Sequence, residues 1–150
     1  MEPQQFKKYL DERYKNQVDW YDKKSMINQK KYNYIQFFLI IFSSLTPILI
    51  VIDFCQPINA YIKWSPVFTS VIVAILTSVL KCFKYQENWI NYRSTCETLK
   101  KEYYYYEAAI NQYSDSEDKE ALFVERVESL ISRENTLWIN ICKEDKRSES

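Results

Sequence analysis

Ser70, Ala74, Thr77, Ser78 and Lys81 recur at three- and four-residue steps inside an otherwise strongly apolar stretch. On a helix that spacing makes one stripe. Two chemistries fit it. Hydroxyls from several copies, ending in a ring of ammonium groups, would line a narrow ion path that disfavours cations; the same small residues would also let helices pack closely. A second group is Arg93 with Glu97 one turn on, and Glu134 between Leu130 and Leu137. A carboxylate in an apolar stripe calls for a partner, so Arg93 and Glu134 are expected to pair, either as a buried contact that fixes how the last helix docks or as an ordinary boundary ion pair. In the third group, Ser43, Ser44, Thr46 and Pro47, we expect a helix kink whose freed carbonyl is satisfied locally, with gating as the alternative.

The chain has no His and no Gly. Hydrolytic chemistry then lacks its usual base and metal ligand, and phosphate-cradling glycine loops are excluded. We expect no enzyme, no cofactor and no bound metal. Lys and Arg number 20, as do Asp and Glu, so the overall charge points to no nucleic-acid partner. Cys55, Cys82, Cys96 and Cys142 form no C-x-x-C pair and are expected to be buried thiols.

The elements that must position these residues follow from charge patterning. No charged side chain occurs in residues 35–52 or 64–80. Each stretch approaches the ~20 residues that cross a ~30 Å hydrocarbon core, and Tyr32, Tyr34, Tyr61, Trp64, Phe83 and Tyr85 flank them as interface aromatics. Two transmembrane helices are expected. A cleaved leader is not, because the first apolar run begins only at residue 35. Lys23, Lys24, Lys30 and Lys31 precede the first span, and Lys81, Lys84, Arg93, Lys100 and Lys101 follow the second. Both termini should therefore lie on the cytoplasmic side of the cell (inner) membrane, with 53–63 a short extracytoplasmic loop and the lysines touching anionic lipid.

Nothing in the sequence interrupts the chain between Pro66 and about Gln112, which predicts one helix roughly 70 Å long, some 40 Å of it beyond the membrane. Its seam reads Cys82, Tyr85, Trp89, Tyr92, Cys96, Leu99, Tyr103, Tyr106, Ile110 and Tyr113, a sustained 3,4 spacing. The first helix, residues 1–34 before the span, carries Phe6, Leu10, Tyr14, Val18 and Tyr21 along one side. A third helix is expected over 117–143, opened by a capping box of Ser114 with Glu117. Its stripe of Phe123, Val124, Val127, Leu130, Ile131, Leu137, Trp138 and Ile141 would pack back along 81–113, with Trp138 anchoring the membrane-proximal end and 144–150 a disordered tail. The expected fold is an all-α integral membrane protein, a single domain in which an antiparallel two-helix membrane hairpin extends into a cytosolic three-helix bundle. Since consecutive helix residues point about 100° apart, Tyr104 and Tyr105 should face away from the seam, toward another subunit.

The lysine-rich approach to the first span, Pro47, "ENWINYRSTCETLKKE" (87–102) and "ERVESLISRENTLW" (125–138) together resemble the bacterial SLATT family. These are two-transmembrane proteins named for their association with nucleotide-second-messenger and nucleotide-sensor domains. The resemblance covers most of the chain; the absence of Gly in the second span departs from the family pattern. It implies a homo-oligomeric pore-forming effector of an anti-phage or inter-bacterial conflict system, under the control of a separate nucleotide-sensing protein. The alternative is a non-conducting membrane anchor whose cytosolic helices recruit a partner.

Overall fold

The structure, a computed structural model, describes the backbone of residues 2–55 and 64–148 and the side chains of 2–52 and 64–133. The expected loop at 53–63 falls mostly outside the described residues, as do the side chains of Cys55, Glu134, Leu137, Trp138, Ile141 and Cys142. Every described element is helical: α1 (Pro3–Tyr9), a π-turn (Leu10–Tyr14), α2 (Lys15–Cys55), α3 (Ser65–Phe83), α4 (Tyr85–Glu107), a 3-10 turn (Asn111–Tyr113) and α5 (Lys119–Ser148). The chain divides into two compact units, residues 1–24 with 91–150, and residues 25–90.

In the first unit three helical segments share one core: Phe6, Tyr14 and Tyr21 from the first, Cys96 and Leu99 from α4, and Phe123, Val127 and Ile131 from α5, closed by Tyr113. The first stripe steps by four residues three times before a step of three. Each step of four over-rotates by about 40°, and the wider π-turn at Leu10–Tyr14 absorbs that drift so that Tyr14 still faces the core. Phe123 is the hub. The rings of Phe6, Tyr14, Tyr103 and Tyr106 lie 5.9, 5.4, 6.1 and 5.1 Å from its own. Tyr14 also stacks on Tyr103 at 5.6 Å and donates its hydroxyl to the Leu99 carbonyl at 2.9 Å, which satisfies the polar end of a buried ring.

Two helix boundaries differ from those expected. The long second helix stops at Glu107, where the Ala109 amide donates to the Tyr106 carbonyl and the Ile110 amide to the Tyr105 carbonyl, both at 3.2 Å. This is a Schellman turn with Ala109, at φ 50, in the left-handed position usually given to Gly. Ile110 consequently leaves the seam and is exposed. The last helix begins at Lys119, capped by the Asp118 carboxylate accepting from the Ala121 amide at 2.9 Å. Ser114 is no cap; its hydroxyl donates to the Asn111 carbonyl. The helix also continues to Ser148, through most of the expected tail.

The second unit holds α2 from Ser25, α3 and the first turn of α4. The most apolar 18-residue windows of its two long helices have mean hydropathies of 2.4 and 1.9, and 0% and 6% of them is buried. Both helices are long and apolar enough to cross a membrane, and core helices of a soluble protein would be mostly buried instead. The predicted unbroken helix from Pro66 is interrupted at Lys84, which sits in the left-handed region at φ 45, ψ 39. Its amide still donates to the Leu80 carbonyl, its carbonyl accepts the Asn88 amide at 3.0 Å, and the Asn88 side chain donates to the Phe83 carbonyl at 3.1 Å. The chain thus restarts its helix at once, with a reset phase. Cys82, in the last turn of α3, is exposed rather than buried as expected.

Candidate functional site

In the second unit, Thr69 is the buried polar residue of α3. Its hydroxyl lies 3.0 Å from that of Thr46 on α2 and donates to the Pro66 carbonyl at 2.9 Å, a polar link between two apolar helices. The stripe sits on the rest of α3: Ser70, Ala74, Ser78 and Lys81 are exposed and Thr77 is half-buried. Ser70 donates to the Val67 carbonyl, Thr77 to that of Val73 and Ser78 to that of Ala74, all at 2.8 Å. Ser43 and Ser44 likewise bond back to Ile40 and Ile41 before Pro47, through which α2 continues, while the single proton of Thr46 has two acceptors in reach, the Thr69 hydroxyl at 3.0 Å and the Phe42 carbonyl at 2.9 Å. The serine hydroxyls and that of Thr77 are thus satisfied within their own helices, as an apolar surrounding demands.

Among the described residues, the ion pairs of the first unit include those of Arg93. Arg93 is half-exposed and binds Asp22 at 3.1 Å and Glu97 at 2.7 Å; the Glu134 side chain lies outside the described residues. A deeper pairing joins α4 to α5. Glu102, 4% exposed, accepts the Tyr113 hydroxyl at 2.6 Å and two donors of Arg126, which also reaches Gln112. A signal for it was present, because Glu102 lies three residues after Leu99 and four before Tyr106, and Arg126 three after Phe123 and four before Leu130. Both are stripe positions. The seam residues Cys96 and Leu99 are fully buried, with Tyr92, Tyr103 and Tyr106 packed against the core. Burial pushes the Cys96 thiol up, Lys100 offsetting this only in part, and the thiol donates to the Val18 carbonyl at 3.7 Å. It stays a protonated packing group. Trp89, in the other unit, is half-buried and accepts the Ser25 hydroxyl at its carbonyl. Of the two outward tyrosines only Tyr104 is exposed, at 66%. Tyr105 packs against the core under Lys101, whose ammonium sits 5.3 Å from the ring centre.

Residues 16–121, more than half of the chain, match the family described as "Protein of unknown function (DUF4231)". The chain belongs to the DUF4231 family. The matched region contains the approach to the first apolar segment, Pro47, the stripe and residues 87–102, and it stops before 125–138. No curated protein and no solved structure matches the chain.

In this DUF4231 protein a further ion pair joins α5 to the first helical segment. Arg13 places two guanidinium nitrogens 3.1 Å from the two Glu128 oxygens, and the Tyr9 hydroxyl donates to Glu128 at 3.0 Å. The Arg13 bonds, with Tyr9 adding to them against the effect of burial, hold the Glu128 carboxyl below the usual carboxylate range. A depressed folded pKa contributes stability above the unfolded value of about 4.3 and loses it as pH falls through the folded value. Between pH 6 and 3 in detergent, Glu128→Gln should therefore shallow the fall in denaturation midpoint. Parallel profiles for the two proteins would show that the pair carries no acid linkage.

Proposed function

We propose that this protein inserts in the cell membrane through the uncharged segments of α2 and α3, with both termini cytoplasmic. Several copies then assemble into an ion-conducting pore around Ser70, Ala74, Ser78 and Lys81. The observation that supports this reading is the exposure of that stripe while Thr69, on the same helix, meets Thr46 of α2. Two helices per chain cannot enclose an aqueous path, so conduction requires a homo-oligomer. The stripe suits both halves of the requirement: small side chains let neighbouring helices approach, and Lys81 ends the row with a cation. The helices of the first unit form the cytosolic part, with Tyr104 as its outward ring. Following the SLATT resemblance, the pore is the effector of a bacterial conflict system and its trigger comes from a separate nucleotide-sensing protein.

Reconstituted protein should migrate as an oligomer and pass small ions across liposomes. Ser78→Leu is expected to reduce flux roughly tenfold while leaving the oligomer intact, and Lys81→Glu to shift the reversal potential toward cation preference. A monomer that leaves the liposomes sealed would favour the anchor reading. An oligomer whose selectivity ignores Lys81 would move the lining to another face.

A further inference from the structure

Lys30, Lys31, Tyr34, Ile35 and Tyr85 line a shallow, open cavity of about 320 Å³ within the second unit. This is close to the lower size of small-molecule sites, about 300 Å³. Its composition is one-sided in charge. Two lysines line it, no acidic residue does, and neither lysine has a carboxylate partner among the described residues. The aromatic walls are braced from outside the cavity, Tyr34 by Phe38 at 4.9 Å and Tyr85 by Phe83 at 5.4 Å. Lys31 lies 5.6 Å from the Tyr85 ring centre. A ring face attracts a cation but accepts few of its hydrogen bonds, so the three ammonium donors still need oxygen acceptors.

The location decides what supplies them. Lys30 and Lys31 are the last charged residues before the uncharged segment beginning at Ile35, so the cavity carries charge at one end and apolar side chains at the other. Tyr85 follows immediately on the left-handed Lys84, whose backbone resets the helical phase between α3 and α4. We propose that this cavity is a specific site for one anionic phospholipid. Lys30 and Lys31 hold the headgroup phosphate, whose charge in an anionic lipid is not offset by an attached ammonium as it is in phosphatidylcholine, while Tyr34, Ile35 and Tyr85 hold the glycerol and first acyl carbons. A free phosphate would satisfy the lysines alone and leave the apolar half unfilled. The site rests on the membrane reading proposed above.

Full-length protein is reconstituted in phosphatidylcholine vesicles and floated on a density gradient. The association of spin-labelled phosphatidylglycerol and spin-labelled phosphatidylcholine with the floated protein is then compared by electron spin resonance. The expected preference for the anionic lipid is roughly tenfold, since each lysine near the surface attracts acidic headgroups. It should fall to near parity in the double variant Lys30→Gln, Lys31→Gln, and remain in Lys23→Gln, Lys24→Gln, which loses the same charge outside the cavity. Tyr85→Leu, with both lysines intact, should weaken it several-fold. Equal loss in the two double variants, or full competition by inorganic phosphate, overturns the site. Protein that floats without any preference removes the site alone, whereas protein that does not float removes the membrane reading and the site with it.

Discussion

Phe123→Ala is expected to destabilise the first unit by about 3–5 kcal/mol, the range for truncating a fully buried aromatic. Phe123 has no exposed surface and touches four rings drawn from the first helical segment and from α4. Truncation therefore removes the contacts that join α5 to both neighbours at once. A cavity among Phe6, Tyr14, Tyr103 and Tyr106 cannot collapse readily, because Tyr14 is tethered by its hydroxyl to the Leu99 carbonyl. Denaturation of the full chain in detergent, followed by tryptophan fluorescence in a variant that keeps only Trp20, which packs on Tyr21 and Tyr92, reads the loss. Tyr104→Ala is the comparison: an exposed ring should change stability by no more than about 0.5 kcal/mol. A Phe123→Ala loss below about 1 kcal/mol would mean that the ring cluster does not hold the unit together.

Arg126→Met should cost about 3–5 kcal/mol by leaving the Glu102 carboxylate buried with only the Tyr113 hydroxyl as partner. Removing the carboxylate as well, in Glu102→Leu with Arg126→Met, should recover much of that loss, because the uncompensated buried charge is then gone. The same double-mutant cycle on Arg93 and Asp22 should give far less coupling, since the Arg93 side chain is half-exposed and water screens the pair. If the losses at Glu102 and Arg126 simply add, the two residues do not act on one another and the pairing between α4 and α5 has another basis.

The residues that bury and the segments free of charge were legible without any structure, because both depend on periodicity and composition. Spacing alone placed Tyr14, Tyr21, Cys96, Leu99, Phe123 and Val127 inside, and all six are buried. The absence of charge over 35–52 and 64–80 marked the two helices now seen to be apolar and almost wholly unburied. Helix ends were not legible. They are usually announced by Gly, and this chain has none, so Lys84 and Ala109 adopt left-handed backbone without a local signal and only hydrogen bonds such as Asn88 to Phe83 reveal it.

Partner choice was decided by the tertiary structure for a related reason. Sequence can state that a carboxylate on an apolar stripe needs a cation, but not which helix delivers it, since that depends on rotation and axial offset between elements distant in sequence. Arg93 therefore meets Asp22, from the first helical segment. Glu102 meets Arg126, and Tyr105 folds onto the core beneath Lys101 while Tyr104 alone stays out. The small-residue stripe was equally plain in the sequence, but its exposure was not. The meeting of Thr69 with Thr46 sets which side of α3 faces α2, and so which side remains open.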